Sequence, residues 1–192
     1  MFPETLQAAI TLATGLVYYA VDFWLIGRYD RDRTEEGTGR SWGYTALMVC
    51  CLIILVLQPI LVPGLSLRLQ GRWGLLLQMV GIVLLLTGFG LHWWSRSHLK
   101  QFYVEDVAVQ SEQVVVDTGP YRLVRHPVFT SFFAIALGLL LVNPAVTTLA
   151  LAVYVFVDFT RAARQEEELL LTKIPEYAGY VERTARFMPK WR

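Results

Sequence analysis

Five blocks of apolar residues divide this chain, at roughly Leu6–Gly27, Trp42–Val62, Trp73–Trp94, Val128–Val142 and Ala145–Phe159. A helix crosses a ~30 Å hydrocarbon layer in about 20 residues, and lipid admits only spans whose backbone groups are paired internally. With 55 % hydrophobic and only 17 % charged residues, the chain is too apolar for an ordinary soluble domain. An all-α integral membrane protein with five transmembrane helices is predicted. The fourth and fifth blocks are short and meet at Asn143-Pro144, where proline ends one helix and suits the first turn of the next. They form a C-terminal helical hairpin.

The basic residues give the chain a direction. Arg28, Arg31, Arg33 and Arg40 follow the first block, and Arg96, Lys100, Arg122 and Arg125 lie between the third and fourth. Seven more lie from Arg161 onward, against only Arg68 and Arg72 on the opposite side. The positive-inside rule then puts the N-terminus outside and the C-terminus in the cytoplasm, which five crossings satisfy. A net charge of +1 offers no basic surface for nucleic acid. The adjacent Cys50 and Cys51 suit neither a disulfide framework nor a thiolate metal site and are expected to be small core residues. Asp22, His92 and His98 are expected at the interface, and no metal-ligand spacing stands out. Residues 1–94 form an N-terminal unit of three helices, and 95–192 carry the chemistry. Within the latter, the β-branched runs at 107–110 and 113–116 are expected to lie extended against the helix ends.

The chemistry-bearing residues flank the hairpin. Gly119-Pro120 fixes a turn, and Pro127 disfavours the helical conformation at His126, leaving its ring at the mouth of the fourth helix. Unpaired N–H groups there suit a carboxylate or another anion. Beyond the fifth block, Arg161 and Glu166 sit about 140° apart on a continuing helix, a poor ion pair but a good flanking arrangement. Arg164, Glu167 and Glu168 read as ordinary interfacial charge. Gly88-Phe89-Gly90 ends an apolar helix and follows no strand, so it is not a dinucleotide fingerprint.

In order, Gly119-Pro-Tyr-Arg-Leu-Val-Arg-His-Pro-Val-Phe, Asn143-Pro144, Arg161 with Glu166, Tyr177 and Tyr180, and Arg186-Phe187-Met188-Pro189 resemble the isoprenylcysteine carboxyl methyltransferase family over about residues 110–192. The resemblance implies a cytoplasmic cofactor-binding cap and methyl transfer from S-adenosylmethionine to a lipophilic acceptor entering from the lipid. That acceptor would be a small molecule or a prenylated chain carrying an isoprenylcysteine-like carboxylate. It implies cofactor contacts at Gln113, Val114, Val115, Val116, Tyr121, His126, Pro127, Val128, Phe129 and Glu166, with Arg161 orienting the acceptor and Arg161 and Glu166 catalytic. Phe129 stands where the family usually has Tyr, Ser131 where it has Gly, and Gln165 where an acid is common. Two other readings share the hydropathy: an NADPH-dependent lipid or sterol reductase, and a non-catalytic membrane scaffold or transporter subunit.

Overall fold

The computed structural model describes residues 1–29, 42–67, 71–99 and 115–189. Among these the chain is all-helical: α1 (Glu4–Tyr29), α2 (Trp42–Leu61), α3 (Gly71–Leu99), α4 (Pro127–Val142), α5 (Val146–Lys173) and α6 (Tyr177–Arg183), with short 3₁₀ turns at Pro63–Leu65 and Gly119–Arg122. Helices α1, α3 and α5 are long and apolar enough to cross a membrane, while α2 and α4 contribute shorter apolar stretches. The expected run at 107–110, and Gln113 and Val114, lie outside the described residues. Val115 and Val116 belong to no strand.

Packing centres on α3 and α4, which run antiparallel. The buried positions of α3 include Gly74, Gln78, Gly81, Leu85, Gly88, His92 and Ser95, a repeating four-then-three spacing that keeps one stripe on the partner helix. Small residues on that stripe let the two backbones approach, as lipid-embedded helices require. A Cβ added at Gly81 would stand 2.8 Å from the Gly138 carbonyl oxygen, and one at Gly138 would stand 2.9 Å from that of Gly81. Leu85, Ile135, Leu139 and Val142 fill the apolar part of the seam.

The hairpin tip is tied down by hydrogen bonds. Asn143 Nδ2 donates to the Leu55 carbonyl of α2 at 3.2 Å, and Thr148 Oγ1 donates to the Asn143 carbonyl at 2.6 Å. Gln78 spans two elements, its Nε2 donating to Val142 O at 2.9 Å while its Oε1 accepts from the Phe2 amide at 2.6 Å. Buried polar groups of this kind are stable only when paired, which explains why an apolar bundle keeps them.

Several side chains depart from the sequence expectation, His92 because it falls on the buried stripe of α3. His92 is 1 % exposed and Asp22 is 4 % exposed, so neither sits at a solvated interface. The His92 ring packs on Tyr18 and Phe132, with Nδ1 3.3 Å from Ser131 Oγ. Cys50 is exposed on α2 rather than part of a core.

Candidate active site

The site is assembled from three segments at one end of the bundle. Its first part is the 3₁₀ turn Gly119–Arg122, which begins at Gly119 with φ +58°, a left-handed conformation that favours glycine. A side chain there would also run into the His98 ring. This turn delivers Arg125 and His126 to the start of α4. The second part is the inner face of α5, where Ala163, Glu167 and Leu170 are buried. The tail after α6 is the third. It runs alongside residues 124–126 through a parallel bridge between Val124 and Ala185. The Arg125 amide donates to Ala185 O at 2.8 Å and the His126 amide to Arg186 O at 3.1 Å.

His126 is 5 % exposed and is held by two carboxylates. Its Nδ1 lies 3.4 Å from Glu166 Oε2, and its Nε2 lies 3.1 Å from Glu167 Oε1. Burial alone would lower the pKa of this ring, but the hydrogen bonds and charges of Glu166 and Glu167 outweigh it and hold the pKa above its ordinary value. The ring lies parallel to Phe129 at a centroid distance of 5.4 Å, and Phe129 in turn stacks with Phe159 at 5.1 Å. Phe187 of the tail approaches the same imidazole at 6.0 Å.

Glu167 gathers partners from two segments. Arg125 Nε donates to its Oε1 at 2.8 Å, and Arg186 Nη2 donates to its Oε2 at 2.6 Å, with Nε 3.1 Å from both oxygens. Arg125 is also bound to the tail, Nη1 donating to the carbonyls of Val181 and Thr184. Helix α6 closes the cluster: Tyr180 Oη donates to the Tyr121 carbonyl at 2.6 Å, while Leu170, Tyr177 and Tyr180 pack together with Val115 against them. Burial raises the pKa of both tyrosines, so their hydroxyls stay protonated at neutral pH.

The structure therefore brings together Tyr121, His126, Pro127, Val128, Phe129 and Glu166, with Val115 at the edge. Tyr121 and Val128 are each 6 % exposed. Arg161 lies on α5 with an exposed side chain and is not drawn into the ion network. Sequence reasoning missed Glu167, Arg125 and Arg186 as a unit. The available signal was periodicity, since Ala163, Glu167 and Leu170 recur at helical spacing on one face and Glu166 falls beside that face.

Chemically, this arrangement presents an imidazole held between two carboxylates, an acid with access to solvent and the N-terminus of α4. Its first amides have no intrahelical partner and favour negative charge. Glu166 keeps 36 % of its side chain exposed, against 7 % for Glu167, and so is the acid placed to meet a ligand. Both ring nitrogens of His126 face carboxylates, Glu166 on Nδ1 and Glu167 on Nε2.

Residues 79–173 match the model of the Isoprenylcysteine carboxyl methyltransferase (ICMT) family. The nickel-cobalt-cadmium resistance protein NccN of Alcaligenes xylosoxydans xylosoxydans is 32 % identical over 77 residues, covering 40 % of this chain and 36 % of that protein. The cobalt-zinc-cadmium resistance protein CzcN of Cupriavidus metallidurans is 29 % identical over 85 residues, 44 % of this chain and 39 % of the relative. The matched stretches thus span little more than a third of either relative. In fold, the chain resembles the eukaryotic intramembrane Ras methyltransferase ICMT with a TM-score of 0.72 at 19 % identity, over 98 % of this chain and 68 % of that one.

Proposed function

The chain belongs to the isoprenylcysteine carboxyl methyltransferase family, and we propose on that footing that it is an integral-membrane enzyme transferring a methyl group from S-adenosylmethionine to a lipophilic carboxylate. The observation that carries this reading is the meeting of His126 and Glu166 at 3.4 Å, forty residues apart in sequence, at the helix mouth that the family match includes.

The residues present fit the cofactor. S-adenosylmethionine carries an ammonium, a carboxylate and a sulfonium, and when bound it supplies the electrophilic methyl group. Glu166 is a half-buried acid suited to a cationic or hydroxyl partner. The first amides of α4 suit an anionic one. Tyr121, Pro127, Val128 and Phe129 would form the apolar wall, with Val115 and Val116 on the approach.

The engagement of both His126 nitrogens favours a carboxylate acceptor over a thiol or an amine. A carboxylate is ionised at neutral pH, whereas the other two must lose a proton to a base. His126 cannot serve as that base while Glu166 and Glu167 hold both its nitrogens. The chain's task is then alignment, a proximity effect worth up to ~7–11 kcal/mol in favourable cases. Arg161 has an exposed side chain on α5, outside the Arg125–Glu167–Arg186 cluster, and by the family resemblance is the group that orients the acceptor. An isoprenylcysteine-like carboxylate is the acceptor in this reading, entering from the lipid to a cytoplasmic site.

The test is calorimetric titration of detergent-purified protein with S-adenosylmethionine and with NADPH, followed by transfer of labelled methyl to a prenylated cysteine bearing a free carboxylate. Binding of the sulfonium compound and a base-labile methyl ester are expected. Binding of NADPH instead, or of neither, would overturn the reading.

A further inference from the structure

Glu167 is absent from the residues to which the methyl-transfer reading gives a role, yet Arg125, His126 and Arg186 all converge on it. Its carboxylate meets three cationic groups from two separate segments: Arg125 and His126 ahead of α4, and Arg186 in the tail. A carboxylate 7 % exposed is costly to bury unless its charge is fully compensated. Here the compensation is bidentate from Arg186, a geometry that fixes direction as well as charge.

We propose that Glu167 is the positioning residue of the site, setting the ring orientation and proton of His126 on one oxygen while clamping the tail, through Arg186, as the site's fixed wall. The tail follows Arg186 into place: its backbone carbonyls accept from the Arg125 and His126 amides, and Thr130 Oγ1 donates to Phe187 O at 3.0 Å. Phe187 then packs on Phe133 at 5.0 Å and beside His126. A single carboxylate thus couples the helix mouth, the α5 face and the C-terminal segment. Glu166 contacts only the His126 Nδ1 of this cluster and keeps 36 % of its side chain exposed, so it can also face a ligand.

The groups facing His126 are Glu166 and Glu167 from α5, Arg125 beside it and Arg186 from the tail, with Phe129 and Phe187 as apolar walls. Those facing Glu167 are the same three cations together with the hydroxyl-bearing Tyr177 and Tyr180 of α6. Removing the Glu167 charge leaves Glu166 as the only acid on the imidazole. The ring then titrates at lower pH, and Arg186 loses its anchor.

The role proposed for Glu167 assumes the methyl-transfer reading only where turnover is measured, so the primary readouts do not use activity. Full-length protein labelled with ¹⁵N-histidine would be titrated by NMR in detergent as parent, E167Q and E166Q. Amide exchange at Arg125 and His126 would be followed in parallel. Expected for E167Q is a His126 midpoint displaced to lower pH and loss of protection at both amides; for E166Q the midpoint also falls but protection stays. An E167Q protein that is folded and shows parental titration and protection overturns the proposal. If E167Q does not fold, R186K decides: it keeps the charge and loses the fork, so faster exchange at the two amides is expected, and parental protection overturns the clamp. In the transfer assay E167Q should lose about a hundredfold in kcat through misplacement, with partial rescue in E167D. Altered titration in a protein that binds no S-adenosylmethionine would sink the methyl-transfer reading and leave the clamp standing.

Discussion

Glu166 and Glu167 are neighbours in sequence, yet about 100° of helical rotation sends one toward solvent and the other into a cluster of cations. That same rotation leaves Arg161 exposed, and its proposed role makes a clear prediction. In Arg161→Ala the lost charge-assisted hydrogen bond is worth about 1.5–3 kcal/mol, so kcat/KM for the acceptor should fall roughly tenfold to a hundredfold with unchanged S-adenosylmethionine binding. Steady-state kinetics with the acceptor varied would show it, and parental values would remove Arg161 from the site. His126 makes the second prediction. Its pKa is raised in the folded protein, so the imidazolium contributes stability in full below the unfolded value of about 6.5. That contribution is lost as pH rises through the folded value. Thermal melting in detergent should weaken across this alkaline limb, and the limb should disappear in His126→Gln. Its persistence there would assign the transition to another group.

At the level of elements, the α3–α4 seam is the part of the fold most exposed to single changes. Gly138→Ala places a methyl 2.9 Å from the Gly81 carbonyl and from the Leu85 side chain. Overpacking of this kind costs about 1–3 kcal/mol, and differential scanning of the purified protein should record a lower Tm. A neutral result would mean that the helices part easily at this crossing. Much of this layer was legible in advance. The Asn143-Pro144 break located the hairpin because proline cannot continue a hydrogen-bonded helix, and the five apolar blocks fall on α1 to α5, of which α1, α3 and α5 are long and apolar enough to cross a membrane. The four-then-three stripe of Gly74, Gln78, Gly81, Gly88, His92 and Ser95 was also written in the sequence. Read by hydropathy alone it is invisible, since glycine scores neither way, and His92 therefore passed for an interfacial residue. Glu167 was hidden for a different reason. A charged run at a helix end resembles solvated surface until the tail from Thr184 to Phe187 is known to fold back over it, and no local pattern encodes that return.

For the whole molecule, the site end and the hairpin tip differ in both charge and function. Fifteen of the seventeen Lys and Arg residues fall in segments predicted on one side, and those segments include Arg125, Arg161 and Arg186. In the proposed topology a site built from this end would face the compartment that retains positive loops, where a water-soluble cofactor would be available to it. The opposite end carries the Asn143-Pro144 turn and the Pro63–Leu65 turn, joined by the Leu67 amide donating to Pro144 O at 2.6 Å. If five crossings are correct, alkaline phosphatase fused after Leu65 is active outside the cell, and green fluorescent protein fused at the C-terminus fluoresces. Fusion after Leu99 should leave the phosphatase inactive. An active phosphatase at Leu99 would move the site to the outer face, separate it from the cofactor and require α4 and α5 to dip into the bilayer from the other side. The short α4 makes this a real test: 16 residues at ~1.5 Å each reach only about 24 Å, less than a full hydrocarbon layer. Its polar ties to α2 and α3 at Asn143 and Gln78 then satisfy the tip where lipid could not, so Gln78→Leu should destabilise this end before it affects His126.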